Sequence, residues 1–383
     1  MTRRGLAALA ALITSCMCAL SLGNALYWYI FLALVCALVY GFVSCFWTKR
    51  TAFCRQELSA AAVNRGEKAQ LLLQAGHRCP LPVSPLQGEY LYHGRQGDCS
   101  FPPAPFRTHE RRVSLDARHV GQYDAGLAHV WTRDIFGFFR MNVKPEGGPS
   151  VLTVLPRPFD IEKPRLTLGD DGSAALARTQ EDYNAPEDVR AYRPGDAMKR
   201  IHWKLSSRKR ELVVRRFETP APPDTLILLD CDSPRGGENV NEGQESLRDA
   251  LCETAVAVAR MQMEDGSPVR LPIYGEKANE FSSDHAASLS LLQEMLAGQP
   301  FGGGEDFARV LNLELRRMRR TGATVIITTR LDAQIVEGVS HIRRMGPSAR
   351  LYLATYTPDA EDYQPFVTRL QHHLVEVCYV TPA

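Results

Sequence analysis

From Gly5 to Trp47 the chain carries no charged residue. About 20 apolar residues suffice to cross a bilayer as a helix, and this run is about twice that length. It is interrupted by the turn-compatible residues Ser21-Leu22-Gly23-Asn24, which predicts a helical hairpin with spans over Leu6–Leu22 and Ala25–Trp47. Tyr27, Trp28 and Tyr29 follow the turn, and Phe46 and Trp47 close the second span; these are the depths at which aromatic belts form. Arg3 and Arg4 precede the hairpin, Lys49, Arg50 and Arg55 follow it, and the turn has no charge. The excess of basic residues at both outer ends predicts a two-pass protein with both termini and the soluble part in the cytoplasm. A cleaved signal peptide followed by one anchor is the rival reading, but no small-residue cleavage site precedes the second span.

The chain as a whole is balanced in charge, with a formal net charge of +2, and its mean hydropathy is −0.21 despite the apolar hairpin. Binding to nucleic acid or acidic lipid would therefore need a local patch. Cys16, Cys18, Cys36 and Cys45 lie in the spans; Cys54, Cys79, Cys99, Cys231, Cys252 and Cys378 are scattered without a CxxC pair, which argues against zinc ligation or a disulfide framework.

Residues 51–160 read as β-structure. Ala69–Leu73, Tyr90–Tyr92, Arg111–Leu115 and Val151–Leu155 are short strand-like runs, and six prolines between Pro80 and Pro105 oppose long helices. The expectation is an antiparallel β-sandwich. Gly121-Gln122-Tyr123 and Arg133–Phe139 are its most distinctive pieces, read as a glycine-permitted turn and a buried aromatic strand.

Residues 221–383 change texture. Thr225–Leu229 and Thr324–Thr328 are continuous apolar runs suited to strands buried on both faces. Helical stripes run from Glu245 to Met263, Ala286 to Leu296, Phe307 to Met318 (closed by Gly322), Asp332 to Met345 and Phe366 to His373; Val269–Tyr274, Arg350–Ala354 and Val375–Val380 are further strands. Strands alternating with helices imply a Rossmann-like α/β domain with a mostly parallel sheet. Ligands of such sheets sit at the carboxyl ends of the strands. Asp230 and Asp232 follow the first strand and Thr328 ends the later one, so these three are the candidate ligands for a hard cation such as magnesium. The blander reading has the two carboxylates bonding nearby backbone amides.

The segment 161–220 is a basic linker, in which Lys and Arg far outnumber acids between Arg190 and Arg216. Pro194-Gly195-Asp196 is a turn that would deliver Asp196 as the N-cap of a short helix. That helix would turn Ile201 and Trp203 inward and Arg200 and Lys204 outward. Arg190, Asp196, Arg215 and Glu218 suit ion pairs that join neighbouring structure. The wider stretch includes Glu181-Asp182-Tyr183, Arg190-Ala191-Tyr192, Arg200–Ser207 and Arg215-Arg216-Phe217-Glu218.

These residues resemble the signature of the bacterial domain-of-unknown-function family 58: Arg-x-Tyr-x-x-Gly-Asp, then Ile-Asp/His-Trp-x-x-Ser-Ala, then a strand ending Arg-x-Phe-Glu. The chain matches at Arg190, Tyr192, Gly195, Asp196, Ile201, His202, Trp203, Ser206, Arg215, Phe217 and Glu218, with Ser207 in place of alanine. The paired spans and the Arg133-Asp134-Ile135-Phe136-Gly137 element fit the same resemblance. It implies a degenerate von Willebrand factor A-like domain, since the loop Asp230-Cys231-Asp232-Ser233-Pro234 lacks the serines of an Asp-x-Ser-x-Ser cation site. It further implies a bacterial cell membrane, a MoxR-type AAA+ ATPase as partner and, often, a membrane transglutaminase-like protein. No reaction is implied.

The residues point the same way. The sequence has no GxxxxGK, GxGxxG, HExxH or GxSxG motif. Gly302-Gly303-Gly304 before a helix suits a flexible turn better than an anion site, and His202 beside Asp196 has no accompanying nucleophile. The expectation is a non-catalytic scaffold or adaptor for protein–protein interaction, with no cofactor and no nucleic acid. The alternative is a magnesium-dependent A-domain binder or enzyme using Asp230 and Asp232.

Overall fold

The computed structural model describes residues 2–78, 84–103, 106–161, 188–193, 198, 201–216, 223–232, 242–274, 278–302, 306–318, 321–358 and 360–382. The chain divides into two compact units, Met1–Leu155 and Pro156–Ala383.

In the first unit, helices α1 (Arg3–Leu22) and α2 (Ala25–Thr51) are long and apolar enough to cross a membrane. Gly23 closes α1 in the left-handed conformation at φ 58°, and the Asn24 side chain caps α2 by accepting from the Leu26 amide at 3.1 Å. The residues these helices bury are small or short and polar: Gly5, Ala8, Ser15 and Ala19 of α1, and Gly41, Ser44, Cys45 and Thr48 of α2. Small residues let apolar helices approach closely, while their large side chains face outward.

The helix α2 runs directly into strand β1 (Ala52–Leu58), so the hairpin and the β-structure share one unit. Eight further strands follow: β2 (Ala62–Asn64), β3 (Lys68–His77), β4 (Leu86–Tyr92), β5 (Arg95–Phe101), β6 (Thr108–Asp116), β7 (Gly121–Arg133), β8 (Arg140–Val143) and β9 (Ser150–Leu155). They form a three-stranded sheet, β1-β3-β6, and a larger one, β2-β9-β7-β4-β5, with β8 beside β7. Alternate residues of β3 (Ala69, Leu71, Leu73) meet Leu86, Phe101, Leu127 and Leu152 of the larger sheet in one core, as the period of two requires. Pairing is antiparallel except between β2 and β9.

Arg133–Phe139 is not a buried strand. Strand β7 ends at Arg133, and a tight turn leads to β8, with Gly137 at φ 76°. Asp134 is the buried member: its carboxylate accepts from the Phe139 amide at 2.6 Å and the Phe136 amide at 3.2 Å. With the carboxylate taking both amides, Ile135 and Phe136 are left at the surface, while Phe138 and Phe139 are half-buried. Gly121 does not form a turn either; it opens β7.

His77, at the end of β3, is buried and neither ring nitrogen has a hydrogen-bond partner. Burial, with His109 nearby, pushes its pKa down to about 4. The unfolded chain, titrating at about 6.5, binds a proton through a pH range in which the folded unit does not. Stability present above pH ~6.5 is therefore lost as the pH falls toward 4, by on the order of 3 kcal/mol. Melting of wild type and His77→Leu at pH 7 and 4.5 tests this: the variant should lose less on acidification, and parallel losses would contradict it.

The second unit contains β10 (Asp188–Ala191), α3 (Trp203–Lys209) and β11 (Val213–Arg216), then an α/β sheet. Its strands are β12 (Asp224–Leu229), β13 (Val269–Ile273), β14 (Asn279–Ser283), β15 (Thr321–Thr328), β16 (Ser348–Ala354) and β17 (Glu376–Val380), in the order β14-β13-β12-β15-β16-β17. All neighbours are parallel except β13 and β14. The chain thus starts mid-sheet and winds out to both edges. Helix α4 (Glu242–Glu264) packs against β12, β13, β15 and β16. Helices α6 (Phe307–Arg317), α7 (Ala333–Arg344) and α8 (Gln364–His372) share a core with Leu226, Leu228, Ile326 and Leu351. Helix α5 (Leu289–Ala297) packs on α4. The antiparallel β14 is absent from the sequence reading because Asn279–Ser283 is polar at an edge. Gly322 does not close α6, which ends at Arg317; it lies inside β15, where an added Cβ would meet Pro223 at 2.9 Å.

Candidate functional site

The carboxyl ends of β12 and β15 are where the winding direction reverses, the position at which open α/β sheets bind ligands. The structure brings the three candidate ligands to this place. Asp230, 2% exposed, accepts from the Thr328 hydroxyl at 2.7 Å through Oδ2, and its Oδ1 accepts from the Asp232 amide at 3.1 Å. A fourth residue, which sequence reasoning missed, completes the group. The Arg330 guanidinium, 11% exposed, lies 3.2 Å from Asp230 through Nε and 2.8 Å from Asp232 through Nη2. Asp306, before α6, lies 3.9 Å away. The guanidinium thus sets a positive charge against both carboxylates. Among the described residues, no three His, Cys, Asp or Glu side chains converge as a metal site.

Burial raises the Asp230 pKa, while Thr328 and Arg330 pull it back. Cys231, next in sequence, is also buried, and its thiol is pushed up to about 12; a thiol so protonated is a poor nucleophile. Asp332 caps α7, accepting from the Gln334 and Ile335 amides at 3.1 and 2.9 Å. Beside Asp306 an open cleft of ≈ 440 Å³ lies between α6 and α7, with polar and charged walls that include Arg309, Glu337 and His341.

The signature residues build a separate small element. Strands β10 and β11 pair antiparallel, Asp188↔Arg216 through Ala191↔Val213, with α3 in the connection between them. Ile201 bridges to Val214, and the His202 amide donates to the Val213 carbonyl at 2.8 Å. Ile201, Ser206, Val213 and Val214 are buried. The Ser206 hydroxyl accepts from the Val213 amide at 2.9 Å, which accounts for a serine within this short helix. Ser206→Ala should leave that buried amide unpaired and cost about 1–3 kcal/mol; a melt unchanged from wild type would contradict the assignment. Tyr192 is half-buried and joins through its amide to the Leu212 carbonyl at 2.8 Å.

Two expectations change here. The helix begins at Trp203, and its cap is His202, whose Nδ1 accepts from the Leu205 amide at 3.2 Å; Gly195, Asp196, Arg200, Phe217 and Glu218 lie outside the described residues, as do Glu181-Asp182-Tyr183 and Gly303-Gly304. Trp203 does not face inward: it is 62% exposed. The buried positions of this small element are taken by Ile201, Ser206, Val213 and Val214. Met198 and Leu212 are exposed on the same element, among the exposed basic residues Lys204, Arg208, Lys209 and Arg210. The main chain at Arg190 and Arg215 lies in the β10–β11 pair.

Residues 188–354, from the first residue of β10 to the last of β16, match the model of a family described as "Protein of unknown function DUF58". These residues form a DUF58 domain. The DUF58 match takes in the signature element and the sheet through β16. No curated protein matches the chain. Among solved structures, an alkylpurine DNA glycosylase of Pseudomonas fluorescens bound to abasic-site DNA aligns at 12% identity, 30% of this chain, 38% of its own and TM-score 0.17. The sporulation control protein Spo0M of Bacillus subtilis aligns at 11%, 37%, 58% and 0.16, and Cwp6 of Clostridium difficile at 10%, 86%, 37% and 0.14. The chain thus covers less than two thirds of each of these proteins, and likenesses this slight carry no argument.

Proposed function

We propose that the chain is a membrane-anchored, non-catalytic scaffold whose DUF58 domain docks a protein partner through the Trp203 face of the signature element. The observation that carries this reading is the exposure of Trp203, with Met198 and Leu212, amid Lys204, Arg208, Lys209 and Arg210. An exposed tryptophan in a basic setting suits a partner surface that is acidic around an apolar pocket, and tryptophan is among the commonest anchors of interfaces. The partner class is a MoxR-type AAA+ ATPase, with a membrane transglutaminase-like protein as a further neighbour, on the strength of the family resemblance. The sheet is a von Willebrand factor A-like frame: the mid-sheet start, the antiparallel β13–β14 edge and Asp230 at the end of β12 support that likeness. In this frame Arg330 replaces the cation.

The test is crosslinking and capture from native membranes with the full chain. Wild type should retain an AAA+ ATPase, and Trp203→Ala should lose it while melting within about 0.5 kcal/mol of wild type, as surface substitutions do. Equal capture by the variant would overturn the docking face. Calorimetry of the full chain with magnesium, manganese and calcium should give no binding heat; heat abolished by Asp230→Ala would restore the cation reading. The two helices and their basic flanks support a two-pass anchor with the soluble part in the cytoplasm. Cys378, partly accessible, should resist an impermeant thiol reagent in intact cells and react after lysis. Cys99, buried, is no reporter.

A further inference from the structure

The β7–β8 turn packs on the two long apolar helices. Gly41 of α2 sits so close to the Asp134 carboxylate that an added Cβ would lie 3.0 Å from Oδ2. Phe139 meets Phe42 edge to face at 5.7 Å, and Phe136 meets Tyr40 at 6.5 Å. On the other side the Thr2 amide, at the start of α1, donates to the Phe138 carbonyl at 3.0 Å. The turn is thus fixed in height along both helices. Yet its tip is bare: Ile135 is 68% exposed, and Phe136, stacked on Phe138 at 5.4 Å, is 45% exposed.

The depth of that tip follows from helix geometry. The 20 residues of α1 rise about 30 Å, the thickness of a hydrocarbon core, which puts one boundary at Arg3. Counting the same rise along α2 from Ala25 reaches about Ser44. Tyr40 lies one turn deeper, about 6 Å inside that boundary. At the base of the turn Arg133 pairs with Arg140 across the strands, giving a basic collar behind an apolar tip.

We propose that Ile135 and Phe136 are immersed in the boundary between headgroups and acyl chains, making the β7–β8 turn a third membrane contact beside the helical hairpin. The inference rests on the membrane-anchored reading above and goes beyond it. It fixes the sandwich at the bilayer surface instead of leaving it on a tether, because α2 continues into β1 with no intervening residue. Apolar side chains at this depth gain the burial that interfacial segments gain, and the arginine collar faces anionic phosphates.

The experiment uses the purified full chain in vesicles of phosphatidylcholine and phosphatidylglycerol. A benzophenone amino acid is placed singly at Ile135, Phe136, Leu32 or Val151, and each variant is checked by melting. Leu32 is exposed within α2. Val151 is half exposed and pairs with Asp124 of β7, nine residues and about 30 Å of strand from Arg133. After irradiation, lipid adducts should form at Ile135, Phe136 and Leu32 and be absent at Val151. Adducts at Leu32 but not at the tip would overturn the immersion while leaving the anchor. Crosslinks from the tip to a second copy of the chain would overturn it in favour of a protein contact. Absence of lipid adducts at Leu32 as well would remove the membrane reading and this proposal together.

Discussion

Arg330→Met should destabilise the α/β unit by about 3–5 kcal/mol, the range for removing one partner of a buried ion pair. The size comes from what is left behind. Asp230 is buried at the end of β12, and without the guanidinium its carboxylate keeps only the Thr328 hydroxyl and the Asp232 amide. Burial already raises its pKa with Arg330 in place, and removing that charge raises it further. A carboxyl with a raised folded pKa favours folding below its unfolded pKa of about 3.9, and that contribution is lost as the pH climbs through the folded value. The deficit of the variant relative to wild type should therefore shrink as the pH is lowered from 7 toward 4. A second change, Asp230→Leu, should restore much of the loss, since an apolar pair can replace a buried ionic one. Denaturant melts of the single and double variants decide it. If the double variant is no more stable than Arg330→Met, the stranded carboxylate is not the cause.

The second large effect is expected at Arg270, on β13. Its guanidinium lies 2.6 Å from Glu314 of α6, 3.2 Å from Glu280 and 3.4 Å from Asp224. Glu314 is fully buried and also bonds Tyr274, with Arg317 at 3.3 Å. Arg270→Met removes the closest positive charge from a carboxylate that has no access to water, and should cost about 3 kcal/mol or more. Glu314→Leu should cost distinctly less, because Arg270 retains Asp224 and Glu280. The order of the two melts is the test; a larger loss in Glu314→Leu would show that the arginine, not the acid, depends on the pair.

Much of the architecture was legible in the residues. The spans read from the uncharged run announced the inner ends of α1 and α2, at Leu22 and Ala25, and stopped three and four residues short of their outer ends at Arg3 and Thr51, because a long apolar run with one turn-forming break can only be two long helices. The continuous apolar runs Thr225–Leu229 and Thr324–Thr328 proved to be the two central strands, β12 and β15, which are covered on both faces. The turn after Arg133 was misread because its aromatic run looks apolar, whereas one buried carboxylate, Asp134, organises it and leaves Ile135 and Phe136 outside. Trp203 was misread for a related reason: hydropathy ranks a tryptophan as core, but the small β10–α3–β11 element is filled by Ile201, Val213 and Val214.

Sequence alone thus determined what depends on neighbours along the chain: helical spans, buried strands, the turn at Gly23-Asn24, and the family of the DUF58 domain. Tertiary structure decided what depends on which strand lies beside which. Asp230 and Arg330 are 100 residues apart and meet only because β15 inserts next to β12. No local pattern encodes that meeting. The same holds for the turn at Ile135, whose apolar tip acquires its place only because Asp134 and Gly41, from distant parts of the chain, pack in contact.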